Sequence, residues 1–339
     1  MIIRAKAYPR AGLAGNPSDG YFGKTVSCAF RNFSAEVVLY ESPHLEILPS
    51  SKDRSVFTSA KELVDDVRLH GYYGGVRLLK AAVKQFYDYC RANTIELHDT
   101  NFTIQYSSSI PHGVGLAGSS AIITACLRAL MTFYGVSIPK YTQASLILAA
   151  ELDELRISAG LQDRVVQVYQ GLVYMDFDRE LMRSRGYGNY ENLDPGLLPP
   201  LYIAYRENLA KVSGAIHDNI RERFERGEPL VTSSMRYWAK LADRFKAYLL
   251  KGQKEKITEV MNANFDRRRR IYSISPENLQ MVEEARLAGA SAKFTGSGGA
   301  IVGTYKDEKM FKALKSRLGK LKIKVIKPIL VLPNTEGTI

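Results

Sequence analysis

One run of eleven residues, Pro111-His112-Gly113-Val114-Gly115-Leu116-Ala117-Gly118-Ser119-Ser120-Ala121, limits what this chain can fold into more than any other stretch. It follows an alternating segment, Asn101 to Tyr106, that reads as a strand, and it runs straight into an apolar stretch that reads as a helix. Three glycines and two hydroxyl residues at such a junction leave backbone N–H groups free at the positive end of a helix dipole, with no Cβ to hold an anion away. That is the chemistry of a phosphate cradle. The same residues would also make a plain tight turn with Ser119 as N-cap, because short glycine motifs recur by accident. No Gly-Lys-Ser/Thr closes the run, so it is not a Walker A loop, and the third glycine of a dinucleotide fingerprint is missing at the required step.

With 339 residues, 45% of them hydrophobic and 24% charged, the chain reads as a soluble globular protein with room for a large core, split into two domains. Lys and Arg outnumber Asp and Glu by 47 to 35, and the net charge of +12 points to anionic partners: nucleic acid, a membrane surface, or small phosphorylated and carboxylated ligands. Cys28, Cys90 and Cys126 are odd in number and set among apolar residues, which suits reduced core thiols better than disulfides or a metal site. No run reaches membrane-spanning length, and the alternation of Ile3, Ala5 and Ala7 behind Met1 lacks the apolar core and cleavage site of a signal peptide. A cytoplasmic protein with no membrane partner is the expectation.

Strands are expected at residues 2–7, 26–30, 35–40 and 45–48, with turn chemistry over residues 8–20 and a polar loop and short helix over residues 50–65. Val76, Leu79, Val83 and Phe86 mark an amphipathic helix ending near Cys90. A buried helix over 121–134, a second carrying Glu151 over 142–155, a third over 163–169 and a strand over 171–177 follow. Glycines and prolines crowd residues 186–200, which suggests a division into domains 1–185 and 186–339. In the second part helices are expected over 215–226, 233–250, 254–270 and 276–288. A second glycine turn, Gly296-Ser297-Gly298-Gly299, sits between short strands, and a helix over 309–318 and a strand over 323–332 close the chain. Strand runs separated by helix runs give an α+β class.

Four features stand together: the loop at 113–120, the acidic pair Glu151 and Asp163, an early turn with Arg10 and Asp19, and the late glycine turn. In kind, order and separation they resemble the GHMP family of small-molecule kinases. The resemblance implies a two-domain fold, an N-terminal ribosomal protein S5 domain 2-like domain and a C-terminal ferredoxin-like one, with ATP and Mg²⁺ as cofactors. It implies that Pro111, Gly113, Val114, Gly115, Leu116, Ala117, Gly118, Ser119, Ser120 and Ala121 wrap the ATP phosphates, and that Glu151 and one of the two serines hold Mg²⁺. The serine pair stands one position further from Leu116 than family members usually have it, so Ser119 and Ser120 both remain candidates. Asp163 matches the catalytic Asp and Arg10 the cation beside it. Lys293-Phe294-Thr295-Gly296-Ser297-Gly298-Gly299 resembles the loop that folds over phosphates and substrate, which makes Thr295, Gly296, Ser297 and Gly298 substrate-binding candidates. These types fit phosphoryl transfer, which needs charge neutralised on phosphoryl oxygens and a hydroxyl placed in line.

The stretch from Arg10 to Lys24, with Gly15-Asn16-Pro17-Ser18-Asp19 where other members carry Gly-Glu-His, resembles the plant-type glucuronokinase branch of the family, and Asp19 would then contact sugar hydroxyls. Independently, the period of Ile257, Val260, Met261 and Phe265 puts Asn264 and Arg268 on or beside a buried helix face. A buried guanidinium wants an anion and would suit a sugar acid's carboxylate, while the rest of the run from Arg267 to Arg270 reads as a solvated patch. Lys24 and Arg164 are the next candidates for that role. The expected reaction is ATP-dependent phosphorylation of D-glucuronate at its anomeric hydroxyl, with ATP and a small sugar acid as partners. The alternatives are a GHMP kinase for another small alcohol (a heptose phosphate, galactose or mevalonate) and a basic nucleic-acid-binding protein, which would leave the carboxylates and both glycine loops unexplained.

Overall fold

A computed structural model describes residues 1–50, 53, 58, 59, 61, 64, 74–206 and 219–333, so the expected polar loop at 50–65 and the start of the helix expected at 215 lie largely outside the described residues. In chain order the elements are β1 (Ile2–Ala7), β2 (Arg10–Ala14), β3 (Lys24–Ala29), β4 (Ala35–Glu41), β5 (Glu46–Leu48), α1 (Gly75–Ala92), β6 (Phe102–Ser108) and α2 (Gly118–Tyr134). They continue with α3 (Lys140–Ala149), α4 (Gln162–Tyr169), β7 (Leu172–Asp176), α5 (Arg179–Arg185) and β8 (Asn189–Leu193). The last part holds β9 (Leu201–Arg206), α6 (Ile220–Glu225), α7 (Pro229–Leu250), α8 (Lys254–Arg268), α9 (Pro276–Leu287), β10 (Lys293–Phe294), β11 (Ala300–Thr304), α10 (Glu308–Lys320) and β12 (Ile323–Ile326).

The strands form three sheets. The first has the order β1-β4-β6-β5, antiparallel except where β5 runs parallel to β6, and α2 packs against β1 and β4 with α1 beside it. Being covered on all sides, α2 is apolar nearly all round, as its sequence requires. The second sheet, β2-β3-β7-β8, is antiparallel throughout. The third has the order β10-β11-β9-β12, all antiparallel, with helices between β9 and β10 and between β11 and β12. That is a β-α-β-β-α-β unit with its strands in the order 4-1-3-2 from the β12 edge, the ferredoxin-like arrangement. The class is α+β, with sheets and helices segregated into layers.

Four local features differ from expectation. Residues 10–14 are not a turn but a fully buried strand, β2, paired with β3, and only residues 15–21 turn. The stretch after residue 185 does not leave the second sheet at once: β8 extends it, and the next sheet begins at Leu201. Ahead of it α5 is a short helix with no counterpart among the expected elements; Asp178 caps it by accepting from the N–H of Glu180 and Leu181, and Gly186 ends it in a left-handed conformation. The closing strand is shorter than expected, because Pro328 cannot donate to a ladder; residues 329–331 cross back to bond Arg31 and Ala29.

The third sheet docks on β2. Gly12 N–H donates to Thr295 O at 2.9 Å, and α8 also lies against β2. The site is built along this seam.

Candidate active site

The glycine loop ahead of α2 takes positive φ at alternate residues, 69° at Gly113, 68° at Gly115 and 62° at Ala117. Such alternation is the geometry that lets successive N–H groups converge into a hollow suited to an anion, here at the N-terminus of a long helix. Gly115 has a second reason to lack a side chain, since a Cβ there would stand 3.0 Å from Ser297 N and Gly298 O in the late glycine turn. Ser119 does not cap α2; the cap position is Ala117, with no side-chain bond. Instead Ser119 and Ser120 both donate to Glu151 Oε1, at 2.9 and 2.7 Å. Val114 and Ala121 are buried behind the loop and support it.

Glu151 lies in a single π-helical turn, Ala150–Glu154, that continues α3 and rolls its carboxylate towards α2. Its other oxygen accepts from Arg164 Nη2 at 2.6 Å, and both side chains of this pair are buried. Arg164 also donates to Gly160 O, so its guanidinium is held between Glu151 and that carbonyl. Asp163, in the first turn of α4, accepts from Arg10 Nε at 2.8 Å. From β2 the same guanidinium donates Nη1 to Gly115 O at 2.6 Å and to Thr295 O at 3.3 Å, so one side chain ties both glycine turns to Asp163. A Cβ on Gly296 would lie 2.6 Å from Gly115 O and 2.8 Å from Arg10 Nη2, which leaves glycine as the residue that fits.

Asp19 projects from the short turn Ser18–Tyr21 and accepts from the Gln162 backbone at 3.1 Å and from its side chain at 3.4 Å. Burial, and then the neighbouring Asp163, pushes its carboxyl above the usual range. Arg268 is buried as its helical period required; it donates Nη1 to Gly296 O at 2.8 Å and Nη2 to Ser297 O at 3.4 Å, and lies across Tyr272 and Phe294. Asn264 is buried too, but both ends of its amide are taken by the turn before Asp19: Gly15 N–H donates to Oδ1 at 2.8 Å, and Nδ2 donates to Asn16 O at 2.9 Å.

Arg10, Asp19, Glu151, Asp163, Arg268, Gly296 and Ser297 line one cleft of about 550 Å³, together with Pro111, Gly113 and Gly115 to Ser120. Asn264, Thr295 and Gly298 are not on its wall. Thr295 is buried with its hydroxyl on Gly115 O and Ala300 O, and Gly298 lies behind the turn against Asn278. Lys24, expected as a reserve for carboxylate binding, pairs with Asp176 and Asp243 instead. The cleft also holds residues that sequence reasoning passed over: Asn16, Tyr21, Gln162, Arg221 and Tyr272. Gln162 stood next to Asp163 and could have been read from that place, and Tyr272 continues the inward period of Asn264 and Arg268, whereas Arg221 carries no local pattern. Arg221 donates to Gly20 O at 3.1 Å and lies over the Tyr21 ring.

A family model described as the GHMP kinases N terminal domain matches residues 77–171. The chain is 46% identical over 306 residues to Glucuronokinase 1 of Arabidopsis thaliana, covering 88% of this chain and 84% of that one. It is 48% identical over 308 residues to Probable glucuronokinase 2 of the same plant, covering 89% and 84%. Among solved structures, Methanococcus jannaschii mevalonate kinase superposes with a TM-score of 0.69 over 98% of both chains, at 19% identity.

Proposed function

The chain belongs to the GHMP kinases and is an ATP-dependent sugar kinase, and from that premise we propose that its acceptor is D-glucuronate, phosphorylated at the anomeric hydroxyl. The observation that carries the choice of sugar is the identity of 46% and 48% to two glucuronokinases over 84% of their length. The cleft agrees with it: at the acceptor end stand Arg268 and Arg221, and neither has a carboxylate partner among the described residues. Both relatives at this identity are glucuronokinases, which does not favour another small alcohol as acceptor.

In this reading the converging N–H groups of the loop hold the ATP phosphates, and Arg10 meets the charge that develops on the group in transfer. Glu151 Oε1 with the hydroxyls of Ser119 and Ser120 forms a set of hard oxygen donors suited to Mg²⁺, which takes one or two carboxylates and leaves its other positions to water and phosphate. Bound there, Mg²⁺ would supply charge neutralisation on the phosphate oxygens. The anomeric oxygen bonds to the γ-phosphorus as the bond to the β,γ-bridging oxygen breaks; ADP leaves, and Asp163 orients the hydroxyl and takes its proton. Asp19 holds sugar hydroxyls, the part of the chain through β8 carries the nucleotide, and the unit that begins at β9 supplies the turn that closes over it. Three buried free cysteines suit a reducing compartment, and we place the reaction in the cytoplasm.

Phosphoryl transfer from MgATP should be measured over glucuronate, galacturonate, glucose, galactose, a heptose phosphate and mevalonate. Glucuronate is expected to give the highest kcat/KM, with a 1-phosphate as product. A neutral sugar or mevalonate in first place would overturn the choice of acceptor.

A further inference from the structure

Behind the acceptor end lies a cation to which no carboxylate among the described residues is bonded. Lys293, from β10, is fully buried, and its ammonium donates to Gly12 O, to Asn16 Oδ1 and to Phe294 O. Three acceptors take the three hydrogens of an ammonium, yet all three are neutral and no carboxylate among the described residues pairs with it. Burial, with Arg268 and Arg10 as neighbours, pushes its pKa well down, the direction expected of a cation held in a positive surrounding. Nearby carboxylates offer little relief. Asp163 is engaged by Arg10, and Asp19, whose charge acts on both Lys293 and Arg268 through space, is hydrogen-bonded to Gln162 and to neither cation. Among the described residues Arg268, 7% exposed, likewise bonds to carbonyl oxygens and lies on aromatic faces, with no ion pair. A buried charge left without a counter-ion costs stability, and such costs persist where function uses them.

Asn16 is the link between this surplus and the ligand. It lines the cleft, yet its side-chain oxygen is the one that meets Lys293, at 2.6 Å. A carboxylate at this position would neutralise Lys293 from within the protein without changing the size of the side chain. We propose that the positive surplus of Lys293 and Arg268 selects an acidic acceptor, and that the uncharged amide of Asn16 is the specificity-determining residue that leaves this surplus for the substrate's carboxylate. The inference rests on the glucuronate reading and adds the residue that sets it. Lys293 touches no ligand; it acts through Asn16 and through its field.

The test is Asn16→Asp, with Lys293→Met as the second variant, each compared with wild type for kcat/KM on glucuronate and on glucose, for glucuronate Kd by calorimetry without nucleotide, and for Tm. Asn16→Asp should lower the glucuronate-to-glucose ratio by about tenfold or more, weaken glucuronate binding similarly, and raise Tm, because the buried ammonium gains a partner. A merely structural role for Asn16 would move Tm and leave the ratio where it was. Lys293→Met should lower the ratio in the same direction, and it decides the matter alone should Asn16→Asp fail to fold. A wild type that prefers glucuronate together with variants that keep the full ratio overturns this inference and leaves the choice of acceptor standing. A wild type that prefers glucose overturns both.

Discussion

Asp163 and Glu151 are both carboxylates beside an arginine, but their partners differ and so do the outcomes of removing their charge. Asp163 shares its guanidinium with the carbonyls of Gly115 and Thr295, so the Arg10 geometry is held on three sides even when the carboxylate is replaced. Asp163→Asn should therefore keep fold and nucleotide affinity while kcat falls by about two orders of magnitude or more, the usual loss for a positioned acid/base group. Turnover near the wild-type rate would remove Asp163 from the chemistry. Glu151 instead faces two hydroxyls on one oxygen and Arg164 on the other, all inside the protein. Glu151→Gln keeps the shape but leaves Arg164 without a counter-charge. A Mg²⁺ titration of ATP turnover should shift to higher concentration, by about tenfold for one lost anionic ligand, and Tm should fall; an unmoved titration would make the pair purely structural.

At the scale of elements, the site is an agreement between two glycine turns that touch through backbone, and this decides what could be read beforehand. The loop at 113–120 and the turn at 296–299 were legible because glycine crowding has few causes, and α2 because an apolar helix must be buried. Their mutual contact was not legible, since Gly115 O against Gly296 depends on the docking of the third sheet on β2. The strand β2 was itself misread: Pro9, Gly12 and Gly15 look like turn residues, and a strand buried on both faces shows no alternation. Asn264 was placed on the correct helix face by its period, but period cannot say whether an inward amide meets a ligand or a neighbouring turn; it meets the turn. Gly296→Ala tests the agreement directly. A methyl group 2.6 Å from Gly115 O has to push the turns apart, so MgATP affinity should drop by at least about tenfold and kcat with it, while the far faces of both units stay folded by circular dichroism. Unchanged nucleotide affinity would mean that the turns act separately.

For the whole molecule the seam between the first two sheets and the ferredoxin-like unit is held by Asn264, Arg10 and Lys293, and Lys293 makes its stability depend on pH in a way that can be isolated. In the folded chain the Lys293 pKa lies well below its ordinary value of 10.5. Between the folded value and about 10.5 the unfolded chain binds more protons than the folded one, so stability contributed by this group rises with pH across that window. Below the window both states are protonated and the burial cost is in full force; above it both are neutral and the cost is gone. Other groups run the opposite way: burial pushes the Cys126 thiol and the Tyr202 phenol up, so each subtracts stability as alkali ionises the unfolded chain first. The raw alkaline profile therefore mixes signs. Subtracting the profile of Lys293→Met from that of wild type cancels the groups common to both and leaves the lysine. That difference, from urea unfolding at a series of pH values, should climb with pH through the window and level off near pH 10.5. Bound glucuronate should shrink the climb, because a carboxylate near the ammonium lifts its folded pKa back towards the ordinary value. A flat difference would mean that Lys293 titrates in the fold as it does in the open chain, and the seam would then hold no unpaired charge for a substrate to neutralise.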